Sequence, residues 1–175
     1  VDAGVKAVMV SHLFVPGLDP TAGLPATLSK TILTGILREE MRFQGLIVTD
    51  SMRMGGLDSF SHEEAAVRAV KAGVDMLLIP PEPEKAIEAL LAAVRTEKIS
   101  EGRIDSSVLK ILKAKASLGL NRNRYIHPEL LPGLISKKSN LLEAQKLLEH
   151  SMTLVQNRGN VLPLKNKGRK IGILS

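Results

Sequence analysis

The residue best placed to do chemistry is Asp50. It follows Leu46-Ile47-Val48-Thr49, a run of apolar or β-branched residues, and precedes Ser51-Met52-Arg53-Met54. Such a run reads as a buried strand of a parallel sheet. Reacting groups collect at the carboxyl ends of parallel strands, where a carboxylate can serve as nucleophile or as general base. The same position also suits an aspartate that only caps a helix or turn, and on spacing alone the cap is the commoner use. His12 ends a second apolar run and either lines the same site or bonds a backbone carbonyl. Met54 either lines the pocket or packs beneath the loop, the commoner use of Met. Asp75 sits inside an apolar stretch and reads as a buried, hydrogen-bonded structural carboxylate. His62 reads as exposed and inert. No His/Asp/Glu cluster has metal-ligand spacing and no glycine-rich phosphate loop follows a strand, so neither a metal nor a cofactor is expected.

These residues need elements to hold them. Strand patterns cover residues 5–10, 46–49 and 74–79, with a Pro/Gly-punctuated loop over 11–20. Ser29 can open a helix whose Ile32, Leu33, Ile36, Leu37 and Met41 share one stripe. Ser61-His62-Glu63-Glu64 is a capping box, and the helix behind it runs through Ala65, Ala66, Ala69 and Val70 to Gly73 at C′. Pro83 can start the next helix, with Ile87, Leu90, Leu91 and Val94 buried. Asp105 is expected to cap another, carrying Val108, Ile111 and Leu112 and ended by Gly119. Strand–helix units in succession argue for a parallel sheet with right-handed crossovers. Because the chain enters almost at once on a core strand, that strand is expected to have a neighbour supplied from upstream, and the chain to be the later part of a larger α/β domain. Further on, residues 140–150 read as a helix, 152–157 as a strand, 160–164 as an extended turn and 170–174 as another strand.

Composition narrows the function classes. With 44% hydrophobic and 24% charged residues in 175, the chain reads as soluble and globular, and no apolar run is long enough for a membrane span. The opening Val1-Asp2-Ala3-Gly4 has neither a basic n-region nor an initiator Met, so the chain reads as a processed or excised piece whose localisation is not legible. The absence of cysteine excludes disulfides, thiolate metal sites and cysteine nucleophiles. The net charge of +6 is concentrated after residue 102. With no Trp, one Tyr and three Phe there is little to stack on bases, so nucleic acid is not the expected partner. Arg122, Arg124, Lys137 and Lys138 read as a solvated linker face.

Three segments, in order, resemble glycoside hydrolase family 3: Val8-Met9-Val10-Ser11-His12-Leu13 with Pro16-Gly17-Leu18-Asp19; residues 45–54, above all Thr49-Asp50-Ser51-Met52-Arg53-Met54; and Ala72-Gly73-Val74-Asp75-Met76-Leu77-Leu78. Residues 151–164, with Asn157 and Val161-Leu162-Pro163-Leu164, are similar to the entry to that family's second domain. The resemblance implies an α/β architecture: the C-terminal part of a (β/α)8 TIM-type barrel over residues 1–120, a linker over 121–138, and the start of an α/β sandwich over 139–175. It implies that Asp50 is the nucleophile of a retaining glycosidase, with His12 and Met54 beside the sugar. The Asp-Ser-Met-x-Met form resembles the β-N-acetylglucosaminidase branch, whereas the β-glucosidase branch usually carries Trp where Ser51 stands. The implied partner is an N-acetylglucosamine-containing glycan.

The acid/base of the resembling branch is a His, paired with an Asp, on an upstream loop with a Lys-His-Phe-Pro-Gly-His-Gly-like motif. His12, His62, His127 and His150 lack that context. The isolated chain is therefore expected to be inactive, and to self-associate through its open sheet edge. The competing expectation is a non-catalytic interaction or scaffold module derived from a barrel fold.

Overall fold

The computed structural model describes residues 4–135, 137–160 and 162–163; the strand expected over 170–174 lies outside them. The chain divides into two units, Val1–Arg124 and Tyr125–Ser175. The division falls inside the segment read as a linker.

The first unit is built on three parallel strands, β1 (Ala7–Val10), β2 (Leu46–Ser51) and β3 (Met76–Leu78), with β2 in the middle. Helices separate and follow them, as right-handed crossovers require. A helix over Thr31–Glu40 links β1 to β2, α1 (His62–Ala72) links β2 to β3, and α2 (Pro83–Arg95) and α3 (Glu101–Ser117) follow β3. Side chains alternate along β2. Ile47 and Thr49 are fully buried under the helices, while Leu46, Val48 and Asp50 are only partly covered. On this second face Met9, paired with Val48, is 58% exposed, and Met76, Val48's partner on the other side, is 40% exposed.

α1 packs onto the sheet with an alanine face. Ala65, Ala66, Ala69 and Ala72 join Leu33, Phe43, Ile47, Met52, Leu57 and Val74 in the main core. Small side chains let the helix approach closely. Its start is an N-cap, with Ser61 Oγ accepting from the Glu64 N–H at 3.1 Å; the Glu64 carboxylate turns to Arg68 at 2.8 Å instead of back to Ser61, so the expected capping box is half formed. Its end is Gly73, at φ +128°, where a Cβ would stand 3.1 Å from Thr34 Oγ1.

Five expectations change. The buried residues of α2 are Ala86 and Ala93, while Ile87 and Leu91 of its expected stripe are exposed. The Thr31–Glu40 helix is of π type: Met41 N–H bonds five residues back to Ile36 O at 2.8 Å, and Phe43 N–H closes the end on Leu37 O at 3.0 Å. The widened turn rotates the stripe, so Met41 is exposed while Leu33 is fully buried. β3 is shorter than residues 74–79, because Val74 N–H still closes the end of α1 on Ala69 O and Ile79 takes a positive φ of 46°. Asp105 lies within α3; the cap is Ser100, whose Oγ accepts from Arg103 N–H at 3.2 Å. Residues 152–157 form no strand, since among the described residues no strand of the second unit lies alongside to complete a ladder. That unit contains two short turns, Pro128–Leu130 and α4 (Leu131–Leu134), then α5 (Lys138–Ser151), in which no residue is buried.

At the amino end of the sheet, Asp75 ties the unit together. Its side chain has no exposed surface. One carboxylate oxygen accepts from the Arg38 guanidinium and from Ile47 N–H at 3.1 Å. The other accepts from Ser107 Oγ at 2.6 Å and Lys110 Nζ at 3.3 Å, with Arg103 Nη1 3.6 Å away. Arg38 also donates to Gly45 O and Phe43 O, and Arg103 to Val74 O. Burial alone would raise the carboxyl's pKa; the Ser107 and Ile47 hydrogen bonds and the charges of Lys110 and Arg38 outweigh it and hold it below the ordinary 3.8. A carboxyl lowered in the folded state contributes stability that is complete above its unfolded pKa and is lost as pH falls through the folded one. Urea titrations across the acid range should therefore show wild-type stability falling below about pH 4. Asp75→Asn should lose about 3–5 kcal/mol at neutral pH, the cost of leaving partly buried cations unpaired, and should show a flatter acid limb.

Candidate active site

Asp50 belongs to the end of β2, where the ladder is irregular. β2 pairs with β3 at Val48↔Met76 and again at Ser51↔Leu78. Three steps on β2 therefore oppose two on β3, which is a β-bulge at Thr49–Asp50. Bulges twist a strand locally and re-aim the side chain they carry, and they gather beside active sites. The Thr49 hydroxyl fills the gap in the ladder by accepting from Leu78 N–H at 2.8 Å. The Asp50 carboxylate is then set by its neighbour: Oδ1 accepts from Ser51 N–H at 2.7 Å. Among the described residues Oδ2 carries no hydrogen bond.

His12 is brought to the same strand end. It is 8% exposed, with Nε2 at 3.1 Å from Ser51 O and Nδ1 at 2.8 Å from Thr27 Oγ1. Of the two uses expected for it, the backbone-carbonyl bond is the one present. The loop that carries it is itself anchored. Leu13 O accepts from Ala26 N–H at 2.8 Å, and the Asp19 carboxylate accepts from Ser29 Oγ at 2.5 Å and Thr21 N–H at 3.1 Å. Ser29 accepts in turn from Ile32 N–H at 3.1 Å, capping the helix beyond. The Ser29 bond, followed by those from Thr21, holds the Asp19 carboxyl below the usual carboxylate range.

Met54 is 49% exposed in the loop that leaves β2, so it has apolar surface to offer rather than packing beneath the loop. Its N–H closes a turn on Ser51 O at 3.1 Å. Met52, by contrast, is buried. A hollow of about 490 Å³ lies beside this loop, lined by Met52, Arg53, Leu57, Asp58, Phe60 and His62 among others; Asp50 is not in its wall. His62 stands at the start of α1, with Nδ1 3.5 Å from Glu82 Oε1, and takes no part in the Asp50 cluster. Asp75 lies at the opposite end of the sheet. Three or more His/Cys/Asp/Glu side chains grouped to hold a metal are not found among the described residues.

The arrangement offers one fixed carboxylate with a free oxygen, next to an imidazole whose two nitrogens are both engaged by protein. That is suited to attack on, or stabilisation of, an electron-poor carbon. The sequence carries no sign of the roles of Thr27 and Thr49. Both are buried threonines whose hydroxyls bond groups remote in the chain; Thr49 looks like any other β-branched strand residue, and Thr27 stands in a short turn after Pro25.

Comparison with known proteins places the chain in a family. The sequence model described as "Glycosyl hydrolase family 3 N terminal domain" matches residues 1–114. A β-N-acetylglucosaminidase/β-glucosidase of Cellulomonas fimi is 33% identical over 171 residues, 93% of this chain and 30% of that protein. The solved family 3 β-N-acetylglucosaminidase of Paenibacillus sp. str. FPU-7 is 38% identical with a TM-score of 0.67, over 72% of this chain and 24% of that one. The solved β-glucoside phosphorylase BglX, bound to 2FGlc, is 29% identical with a TM-score of 0.81, over 93% of this chain and 31% of that one. The chain thus spans about a third or less of the length of each of these proteins. Its α/β unit, with a parallel sheet and an aspartate at the middle strand's carboxyl end, is consistent with a TIM-type barrel, and the chain belongs to the glycoside hydrolase family 3 glycosidases.

Proposed function

We propose that the chain supplies the nucleophile side of a retaining exo-glycosidase that removes terminal β-N-acetylglucosamine from glycans. The observation that carries this reading is the Asp50 carboxylate. It stands at the carboxyl end of the middle strand, on the partly covered sheet face, with one oxygen held by Ser51 N–H and the other unbonded among the described residues. Such a carboxylate attacks the anomeric carbon as oxocarbenium character develops, and forms a covalent glycosyl-enzyme. Within residues 4–124 no imidazole is placed to protonate the leaving oxygen: His12 uses both nitrogens internally and His62 faces Glu82. The resemblance to the family supports an acid/base on a loop upstream of these residues. β1, β2 and β3 are the last three strands of a (β/α)8 barrel, residues 121–138 are the linker, and residues 139–175 open an α/β sandwich.

Three features support N-acetylglucosaminide as the substrate. Ser51 rather than an aromatic residue follows the nucleophile, Met54 presents apolar surface nearby, and both the Cellulomonas and the Paenibacillus relatives are named for that activity. Likeness to the β-glucoside phosphorylase favours a second reading, in which phosphate instead of water resolves the same intermediate. Release of glycosyl phosphate rather than free sugar distinguishes the two. A non-catalytic scaffold would show neither product.

In a polypeptide of the relatives' full length, Asp50→Asn should lower turnover of a chromogenic N-acetylglucosaminide by at least about a thousandfold; retained turnover overturns the nucleophile assignment. The isolated chain should show no turnover, and substantial activity from it would mean that the acid/base lies within it. Met9 and Met76 expose an apolar sheet face, so the isolated chain should run larger than 18.9 kDa by light scattering. Met9→Lys should shift it towards monomer. A monodisperse wild-type monomer at high concentration would refute the self-association.

A further inference from the structure

We infer that His12 is a positioning residue for Asp50, acting through the peptide bond after Ser51 rather than by touching the sugar. The inference rests on the reading of Asp50 as nucleophile. A carbonyl oxygen only accepts, so the 3.1 Å contact with Ser51 O requires a proton on His12 Nε2. Thr27 Oγ1 lies 2.8 Å from Nδ1 and 3.0 Å from Ser11 O. If the hydroxyl proton goes to Ser11 O, Thr27 accepts from Nδ1–H and the ring, with a proton on each nitrogen, is an imidazolium; if it goes to Nδ1, the ring is neutral with its proton on Nε2. In both arrangements Nε2–H donates to Ser51 O. The ring is thus spent on protein at both ends and is buried.

The place where it donates gives it leverage. The Ser51–Met52 peptide is gripped from both neighbouring strands. On the β1 side its oxygen takes His12 Nε2–H, and on the β3 side its nitrogen donates to Leu78 O at 2.9 Å. Met54 N–H adds a third bond to the same oxygen. The preceding peptide supplies the Ser51 N–H that holds Asp50 Oδ1 at 2.7 Å. Only the backbone torsions of Ser51 lie between the grip and the carboxylate. The bulge at Thr49–Asp50 deprives this stretch of regular ladder bonds to β3, so the aim of Asp50 depends on the grip. Gly56 confirms how closely the position is built. A Cβ there would stand 2.6 Å from His12 O and 2.7 Å from His12 Cβ, so the loop leaving β2 lies directly on His12.

The test separates the two imidazole nitrogens in a protein of the relatives' full length. In His12→Gln the side-chain amide can reach where Nε2 stood and still donate to Ser51 O. In His12→Asn the amide reaches only where Nδ1 stood, towards Thr27. The substrate is a dinitrophenyl N-acetylglucosaminide, whose leaving group needs no protonation, and the rate followed is the pre-steady-state burst of dinitrophenolate, which reports formation of the glycosyl-enzyme; kcat and KM here are the limiting rate and half-saturation of that burst. The expected result is a loss of about 10- to 100-fold in kcat for His12→Asn, little change in KM, a melting temperature near wild type, and recovery to within a few-fold for His12→Gln. Thr27→Val, which frees the ring at Nδ1 without removing it, should also lower kcat several-fold, and carries the test if His12→Asn does not fold. Equal kcat for the Asn and Gln variants, or an unchanged Thr27→Val, overturns the positioning role, as does a loss confined to KM, which would mark His12 as a sugar contact. Asp50→Asn is measured alongside. If it is inactive, such results refute only the role of His12; if it retains turnover, the nucleophile reading fails, and this inference with it.

Discussion

The first unit depends on a single buried carboxylate with more cationic partners than it can neutralise. Asp75 faces Arg38 from the helix before β2, Arg103 and Lys110 from α3, and the backbone of β2 at Ile47. Hydrophobic burial brings these elements together without direction. The Asp75 cluster gives them a fixed register, because each guanidinium also bonds a specific carbonyl, Gly45 O and Phe43 O for Arg38 and Val74 O for Arg103. One carboxylate thereby fixes where β2 starts, where β3 starts and how α3 lies across them. The surrounding core of alanines, with Leu33, Phe43 and Ile47, fills the space that this register defines.

The cluster lies at the amino end of the strands, and Asp50 at the carboxyl end of β2. The sheet thus separates two uses of the same functional group. Asp75 is saturated: both oxygens are bonded, and the Ser107 and Ile47 hydrogen bonds, with the charges of Lys110 and Arg38, hold it ionised. Asp50 is left half satisfied, with a single local bond from Ser51. Conserving a lone pair at one strand end and saturating a carboxylate at the other are opposite uses of one side chain, kept apart by the length of the strands.

What was legible in the sequence was local. The Ser61 cap, Gly73 closing α1 and Pro83 opening α2 are each decided within one turn of chain, and the structure places them as read; the reciprocal Glu64 half of the capping box is not made, its carboxylate being taken by Arg68. The strand core at Leu46–Thr49 was legible because fully buried parallel strands leave an unbroken apolar run. Where two residues could serve, as with Ser100 and Asp105 at the start of α3, only packing chose between them. The π-type turn before Phe43 and the bulge at Asp50 were hidden, because each is defined by which distant group a backbone amide meets. Asp75 was read correctly as buried and bonded, but partners 28 to 37 positions away leave no local trace. Residues 152–157 show the converse: an alternating pattern is a strand only if a neighbour completes it.

At the bulge, a threonine hydroxyl does the work of a backbone carbonyl. An ordinary rung of a ladder is written in the main chain and is indifferent to the side chain that stands there. The rung between Thr49 and Leu78 is written in a side chain, so the direction in which this strand ends is open to change by a single codon. Serine would keep the hydroxyl and lose only the methyl that limits its rotamers, valine would remove the hydroxyl, and neither would touch the sheet's remaining hydrogen bonds. A carboxylate mounted one residue beyond such a rung can be re-aimed by a change at that one position while the scaffold beneath it stays the same.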